Sequence, residues 1–529
     1  MTPATLELFS CFFSALYILS LSGLFLYGTN CYVLLLLFWR HRGKGEKEYR
    51  DALRRFEKSR WSAEPPRVTI QLPVYNERYV VARLIEAVAA LDYPRDRIEI
   101  QVLDDSTDET AEIVGRLVAN YRKLGIPIAH LRRPNRNGFK AGALREGMAQ
   151  ASGELFAIFD ADFVPPPDFL RRTIPCFLDP KVGMVQARWA HLNADESLLT
   201  RAQSIGIDAH FSVEQGARAW SGLFLNFNGT AGIWRRQAIL DAGGWQADTL
   251  TEDMDLSYRA QLAGWQLKYV FEVACPAELP SEVAAFKSQQ FRWAKGSIQT
   301  ARKTIPRLLK SRRSWFAKYQ AVLHMTHYIV HPLMLVTIVL SYPVVVLSGY
   351  KSGPWLLAAA FVLFLLATLG PSVLYIASQR SLYKDWRSRV RWVSLMTLIG
   401  TGIALNNTRA VLEGLFLSGG RFVRTPKFGT SQQGDRREAG EYRLRVDLLP
   451  CLELALGAYA LVAFTKAIGS PGIFISPFLL MYTCGFLYMG FRGVGEWLDR
   501  NDELVRGVRY LRVVRALRGE KLAARMERP

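Results

Sequence analysis

Leu155-Phe156-Ala157-Ile158-Phe159-Asp160-Ala161-Asp162 is the stretch whose reading decides the fold. Its apolar run has the length of a buried strand and ends directly in two acids. The pattern recurs upstream. Ile98 to Leu103 runs into Asp104-Asp105-Ser106, and Val68 to Leu72 runs into Pro73-Val74-Tyr75-Asn76-Glu77. Pro127 to Leu131 reads as a further short strand. Helical patterns separate these runs, one reaching about Leu91 and one from about Thr107 to Leu124. Strands alternating with helices predict an α/β domain with a parallel sheet covered on both faces. In such sheets ligands bind beyond the carboxyl ends of the strands. Asp104, Asp105, Asp160 and Asp162 all stand at those ends.

This α/β part covers about residues 45 to 315 of a 529-residue chain, and the flanks read differently. A helix needs about 20 apolar residues to cross a bilayer. Leu8 to Trp39, Val322 to Leu347, Trp355 to Ala377, Leu448 to Ile468 and Pro471 to Phe491 qualify. The first is too long for a signal-peptide core and lacks a cleavage pattern. Arg40, Arg42, Lys44 and Lys47 follow it, and only Glu7 precedes it, which puts the α/β domain on the cytoplasmic side. Basic residues from Arg380 to Arg391 and beyond Arg492 also face inward if there are five crossings. Trp392 to Leu417 is apolar but interrupted by Asn406, Asn407, Arg409 and Glu413, and is expected to lie in the cytoplasmic interface. The tail spaces Arg506, Arg509, Arg512, Arg515 and Arg518 three apart, a helix suited either to anionic lipid or to solvent.

Lys and Arg number 67 against 47 Asp and Glu, a net charge of +20. Loop charge and the basic tail account for it, and no nucleic-acid-reading motif accompanies it. The apolar content of 50% excludes intrinsic disorder, and no fixed period points to a collagen or solenoid. Six cysteines (Cys11, Cys31, Cys176, Cys275, Cys451, Cys484) show neither metal-ligand spacing nor a disulfide framework.

Several constellations carry chemistry. If the strand continues through Asp160-Ala161-Asp162, the two carboxylates point the same way and suit Mg2+ or Mn2+ with positions left for phosphate oxygens; a solvated acidic turn is the plainer alternative. Thr251-Glu252-Asp253 opens a helix, where the acids complement the helix dipole or one accepts a proton from an attacking hydroxyl. Gln289, Arg292 and Trp293 share one helix face, fit for sugar hydroxyls, diphosphate and a pyranose ring. Asn137-Gly138-Phe139-Lys140-Ala141-Gly142 is a glycine-bearing loop entering a helix, able to hold phosphate oxygens with Lys140. His324, His327 and His331 line one helix face and, with no carboxylate nearby to support a metal, read as a polar helix face or pore lining.

The order of these motifs resembles processive family 2 glycosyltransferases. The runs IQVLDDSTDET, NRNGFKAGALREGM, AIFDADFVPPPDFL, VQARWAHLNADESLLTR, FNGTAGIWRR, AGGWQADTLTEDMDLSYRA and QQFRWAKG look like plant cellulose-synthase-like A and C proteins, mannan, glucomannan or glucan synthases. The likeness covers about residues 66 to 310. It implies a GT-A (Rossmann-like) cytoplasmic domain joined to an α-helical transmembrane domain of about five crossings and one interfacial helix. The corresponding division is an N-terminal transmembrane helix at 1–44, the GT-A domain at 45–315, a transmembrane hairpin at 316–380, the interfacial helix and a gating-like loop at 381–447, a second hairpin at 448–492 and a basic cytoplasmic tail at 493–529.

The resemblance also implies roles. Asp104 and Asp105 bind the nucleoside side of the donor, and Lys140 sits near the diphosphate. Asp160 and Asp162 form the metal and donor pair, and Asp253, beside Glu252, is the general base. Gln289, Arg292 and Trp293 hold the acceptor end and the diphosphate. Asn226 to Thr230, reading Asn-Phe-Asn-Gly-Thr, takes the place of the acceptor motif, with Asn228, Gly229 and Thr230 as its acceptor contacts. Phe422-Val423-Arg424-Thr425-Pro426-Lys427 resembles a gating loop, with Arg424 departing from the pattern and Lys427 reaching the donor. The expected reaction is inverting transfer from UDP-glucose or GDP-mannose onto a growing β-linked polysaccharide, with β-1,4 linkage by resemblance and export through the membrane. A glycolipid-forming, non-processive transferase is the alternative, with a lipid acceptor. A bacterial inner membrane is the expected location, lipids are expected partners, and nucleic acid is not.

Overall fold

The computed structural model describes residues 3–347, 354–417, 419–420, 424–425, 427, 429 and 448–498. Among them seven strands form one sheet: β1 (Val68–Val74), β2 (Ile98–Asp104), β3 (Ile128–Arg132), β4 (Leu155–Ile158), β5 (Val182–His191), β6 (Gly232–Arg235) and β7 (Gln266–Ala277). Their order is β3-β2-β1-β4-β6-β5-β7. The first four strands are parallel as expected. The sheet as a whole is not: β6 runs antiparallel to both β4 and β5, while β5 and β7 pair in parallel. β6 is only four residues long, and β5 and β7 carry Gln, Arg, Lys and Glu among their apolar residues, so no clean apolar run marks them. The central strands are buried on both faces, which is why Val68, Ile70 and Leu72 alternate with equally buried Thr69 and Gln71. Gln71 meets part of that cost by donating through Nε2 to Gln101 Oε1 at 3.1 Å and to the Leu144 carbonyl at 3.3 Å, while its own Oε1 is left without a partner among the described residues.

Among the described residues, five helices are long and apolar enough to cross a membrane: Ala4–Glu57, Trp315–Leu347, Ala358–Leu382, Leu449–Ala467 and Ile473–Leu498. These make the chain a multi-pass membrane protein. The first continues without a break past residue 44, so the crossing and the entry to the α/β sheet region are one rod. It meets the third crossing at a glycine contact: a Cβ on Gly370 would stand 2.1 Å from the Gly28 carbonyl oxygen. All six cysteines are free.

The stretch expected to form one interfacial helix is two, Val393–Gly402 and Ala404–Phe416. The break falls where Gly402 crowds the last crossing; a Cβ there would lie 2.3 Å from the Gly485 carbonyl oxygen. Neither piece is among the membrane-crossing helices. The second turns its polar side inward. Asn406 donates to the Lys287 carbonyl at 3.0 Å, and Asn407 meets His331 Nε2 at 2.9 Å. Leu412, Leu415 and Phe416 are exposed. The basic tail beyond residue 498 and Phe422, Val423 and Pro426 of the gating-like loop lie outside the described residues.

Candidate active site

The carboxyl ends of β1, β2 and β4 open into a cleft lined by side chains from the sheet, the Val283–Lys310 helix and Arg424, Thr425 and Lys427. Asp160-Ala161-Asp162 lies at its centre, although not as extended strand. β4 stops at Ile158 and the chain turns at Ala161 and Asp162. The turn, rather than strand alternation, brings both carboxylates into the cleft. Each meets a lysine. Lys140 Nζ is 2.5 Å from Asp160 Oδ1, and Lys427 Nζ is 2.8 Å from Asp162 Oδ2.

Lys140 is aimed by its loop. The helix Phe139–Gln150 starts from Gly138 at φ 71° and Phe139 at φ 48°. A side chain at Gly142 would run into the Asn137 carbonyl oxygen, at 2.0 Å from a Cβ. That tight entry sends Lys140 inward, where it also donates to the Gly229 carbonyl at 2.9 Å. Burial disfavours the ammonium, but Asp160, Glu252 and Asp253 outweigh it and lift Lys140 above the ordinary amine range.

Glu252 and Asp253 occupy the first turn of the helix Glu252–Leu262. Thr251 sits at the N-cap position but makes no capping bond with its side chain; its hydroxyl meets that of Thr300 at 3.1 Å. Asp253 Oδ1 accepts from its neighbour's N–H, Met254, at 2.8 Å. Burial first, and then the adjacent Glu252 carboxylate, push Asp253 up to about 7, suited to a base near neutrality. Burial raises Glu252 as well, against the pull of Lys140. Asp253 Oδ2 lies 3.0 Å, and Lys140 Nζ 3.4 Å, from where a Cβ on Gly229 would be. Asp253, Lys140 and the Gly229 backbone therefore converge on one point.

Gln289, Arg292 and Trp293 project into the same cleft from the Val283–Lys310 helix. Close packing sets that helix: a Cβ on Gly296 would meet Thr251 N at 2.8 Å. Its start is held by Glu496 of the last crossing, which accepts from Val283 N at 2.7 Å and Ala284 N at 3.0 Å. Lys287 pairs with buried Glu453 of the fourth crossing at 2.6 Å. Burial lowers Arg292, and Glu252, Asp160 and Asp253 oppose that.

Two expected residues are not in the cleft. Asp104 and Asp105 are consecutive, so the strand's alternation sends them opposite ways. Asp105 lines the cleft, paired with Arg133 at 2.5 Å. Asp104 is buried behind it, accepting from Ser106 N at 2.8 Å and meeting His130 Nε2 at 2.8 Å. Burial opposes its charge, yet those hydrogen bonds hold its carboxyl below the usual range. Its position is that of a strut for the loop. Thr230 is likewise buried, its Oγ1 accepting from the Asp160 backbone N–H at 2.9 Å; only Asn228 and Gly229 of its motif face the cleft. The histidines are packing groups: His324 Nδ1 meets the Tyr258 hydroxyl at 2.8 Å, and His327 Nδ1 meets the His324 carbonyl. Among the described residues no group of three or more His, Cys, Asp or Glu could hold a metal ion.

Sequence reasoning passed over Tyr75, Glu77, Arg136 and Glu278, which also line the cleft. The Arg136 guanidinium lies 3.3 Å over the Tyr75 ring, a flat surface at the Asp105 end. Glu77 pairs with Arg424 at 2.8 Å; burial still pushes its carboxyl up to about 8. Tyr75 and Glu77 were legible as residues at the carboxyl end of β1. Arg136 and Glu278 carried no such signal.

A mixed sheet of this order, with acids at its strand ends and a helix face bearing Gln289, Arg292 and Trp293 lining the same cleft, defines a membrane-bound glycosyltransferase of the GT-A type. The family described as Glycosyltransferase like family 2 matches residues 65–296. Glucomannan 4-beta-mannosyltransferase 2 of Arabidopsis thaliana is 35% identical, covering 88% of this chain and 87% of that protein. Glucomannan 4-beta-mannosyltransferase 1 of Cyamopsis tetragonoloba is also 35% identical, over 82% and 83% of the two chains. A solved mannosyltransferase, PcManGT from Pyrobaculum calidifontis in complex with GDP-Man and Mn2+, aligns with 21% identity and a TM-score of 0.47, covering 76% of this chain and 99% of that one. The chain belongs to glycosyltransferase family 2, in the group of these plant 4-β-mannosyltransferase relatives, and is a hexosyltransferase.

Proposed function

We propose that the protein extends a β-1,4-linked mannan or glucomannan by inverting transfer from GDP-mannose, on the cytoplasmic side of a membrane, and passes the chain into the bilayer. UDP-glucose is the second donor of the same chemistry. The observation that carries the reading is the convergence of Asp253, Lys140 and Gly229 opposite Gln289, Arg292 and Trp293. Curated relatives named as glucomannan 4-β-mannosyltransferases favour mannose over glucose. They are plant proteins, so nothing in the likeness supports the bacterial inner membrane expected from sequence.

Tyr75, Arg136 and Asp105 would receive the nucleoside end, and Lys140 and Arg292 the diphosphate. Asp160 and Asp162 are a hard oxygen pair lining an open cleft, the donor set that Mg2+ or Mn2+ takes when substrate phosphate supplies further ligands. Bound there, the ion would supply charge neutralisation for the leaving diphosphate. Lys140 and Lys427, now paired with these acids, would turn their ammonium groups to phosphate oxygens. Trp293 and Asn228 would hold the acceptor's terminal sugar. Asp253 takes the proton from its hydroxyl as the oxygen bonds to C1 of the donor and the C1–O bond to diphosphate breaks. One displacement turns an α-linked donor into a β-linkage.

The test uses purified full-length protein in detergent with GDP-mannose or UDP-glucose and Mn2+ or Mg2+. A polymer from GDP-mannose that β-1,4-mannanase degrades is expected. A product from UDP-glucose alone, or a single sugar added to lipid, would overturn the reading.

A further inference from the structure

Asn228 lines the cleft beside the convergence point, and the way its carboxamide is held goes beyond the roles assigned above. Four residues orient it. Gln186 Oε1 accepts from the Asn228 backbone N–H at 3.0 Å, while Gln186 Nε2 donates to the Thr230 and Ala231 carbonyls, each at 3.1 Å. That fixes the backbone. The side chain is fixed from the helical segment that leads from Leu198 to Trp220. Gln215 Nε2 donates to the Asn226 carbonyl at 3.1 Å and also to Asn228 Oδ1. Asn228 Nδ2 lies 3.0 Å from His210 Nε2, and His210 Nδ1 lies 2.9 Å from Glu214 Oε2.

These contacts determine every proton. Gln215 must present its nitrogen, because the Asn226 carbonyl only accepts. The Asn228 atom facing Gln215 must then be oxygen, and the one facing His210 must be nitrogen. His210 Nε2 must therefore accept, so its proton sits on Nδ1 and is donated to the Glu214 carboxylate. The arrangement has a cost: Gln215 Oε1 is buried with no hydrogen-bond partner. It also depends on irregular backbone. His210 to Glu214 form a π-turn between the α-helical pieces Leu198–Ala209 and Gln215–Trp220. Such insertions are costly and frequent at functional sites.

One N–H of the Asn228 carboxamide and one lone pair of its oxygen are left over. We propose that His210 and Glu214 are positioning residues that set the Asn228 carboxamide so that these remaining groups hold the acceptor sugar with its hydroxyl at Asp253. The pair touches neither donor nor acceptor itself. The inference rests on the transfer reading above, and it assigns the acceptor side of the site to the π-turn.

The test measures acceptor KM, donor KM and kcat for full-length protein in detergent, with GDP-mannose, Mn2+ and a short β-1,4-mannooligosaccharide. Removing the acceptor atom in His210→Phe should raise acceptor KM about tenfold, the loss of one well-made hydrogen bond, with donor KM unchanged. His210→Gln, whose carbonyl can accept the Asn228 N–H, should recover most of the loss. Asn228→Ala should match His210→Phe, and the double variant should be no worse than either single one. Glu214→Leu gives a second route to the same acceptor defect should His210→Phe not fold. An unchanged acceptor KM, a parallel rise in both KM values, or additive losses in the double variant would overturn the inference while transfer itself stands. Wild-type protein that transfers nothing from either nucleotide sugar would remove the functional reading and this inference together.

Discussion

Gly229→Ala separates backbone strain from damage to the reacting centre, because a second glycine provides its control. Gly229 has φ 82°, a left-handed conformation, and a Cβ there would stand 3.0 Å from Asp253 Oδ2 and 3.4 Å from Lys140 Nζ. The left-handed backbone alone costs about 1–2 kcal/mol for alanine. The methyl group is also roughly 0.5 Å too close to the carboxylate for a relaxed contact. Since about 1 Å of misplacement near a reacting centre can cost roughly a hundredfold, the shift Asp253 must make should slow transfer about tenfold. Gly222 has φ 73° with nothing within 4 Å of its Cβ position. Gly222→Ala should carry the same backbone penalty of about 1–2 kcal/mol and keep the wild-type rate. Thermal unfolding in detergent reads the first quantity, and initial rates of sugar transfer read the second. A Gly229→Ala enzyme at full rate would refute the placement of Asp253 at the convergence point, and equal rate losses in both variants would reduce the effect to unfolding.

Asp253 works as a base only when ionised, and its carboxyl is raised to about 7. Transfer should therefore fall as pH drops below about 7 in kcat/KM of the free enzyme, and Asp253→Asn should abolish it at every pH. A carboxyl raised in the folded state holds its proton longer than in the unfolded chain, so this group's contribution to stability declines as pH rises from the ordinary carboxylate range toward 7; Asp253→Asn should melt higher than wild type at pH 8, by differential scanning fluorimetry. Lys427→Ala frees Asp162 from its 2.8 Å ion pair, so the Mn2+ concentration giving half-maximal rate should drop while donor KM rises; an unchanged metal requirement would count against Asp162 as a ligand. Glu496→Ala leaves the Val283 and Ala284 N–H groups without their acceptor and should cost about 1.5–3 kcal/mol, the worth of hydrogen bonds to a charged group. Glu496→Gln, keeping one acceptor, should lose less in the same melting assay.

The parts of this molecule with a local signature were readable from sequence. β1 to β4 are short apolar runs, the five crossings are long ones, and the acids fall where runs end. Thr251-Glu252-Asp253 and the Gln289, Arg292, Trp293 face announce themselves by spacing, and they do meet in one cleft. What escaped depended on partners far along the chain. β6 exists because β4 and β5 flank it, not because four residues prefer to be extended. Asp104 looks identical to Asp105 until the pleat sends one behind the sheet to His130. Thr230 reads as an acceptor contact until its hydroxyl is seen accepting the Asp160 N–H. The break at Ile403 follows from the approach of Gly402 to Gly485, about eighty residues later in the chain.

The helix bearing Gln289, Arg292 and Trp293 begins on a carboxylate from the fifth crossing and is pinned again by Glu453 of the fourth. A water-soluble fragment trimmed at the edge of the matched family region would lose both anchors and carry a frayed jaw. The same linkage runs in the other direction: stretching or thinning the bilayer would tug on the catalytic grip, so the composition of the nanodisc chosen for an assay becomes a variable of the enzymology.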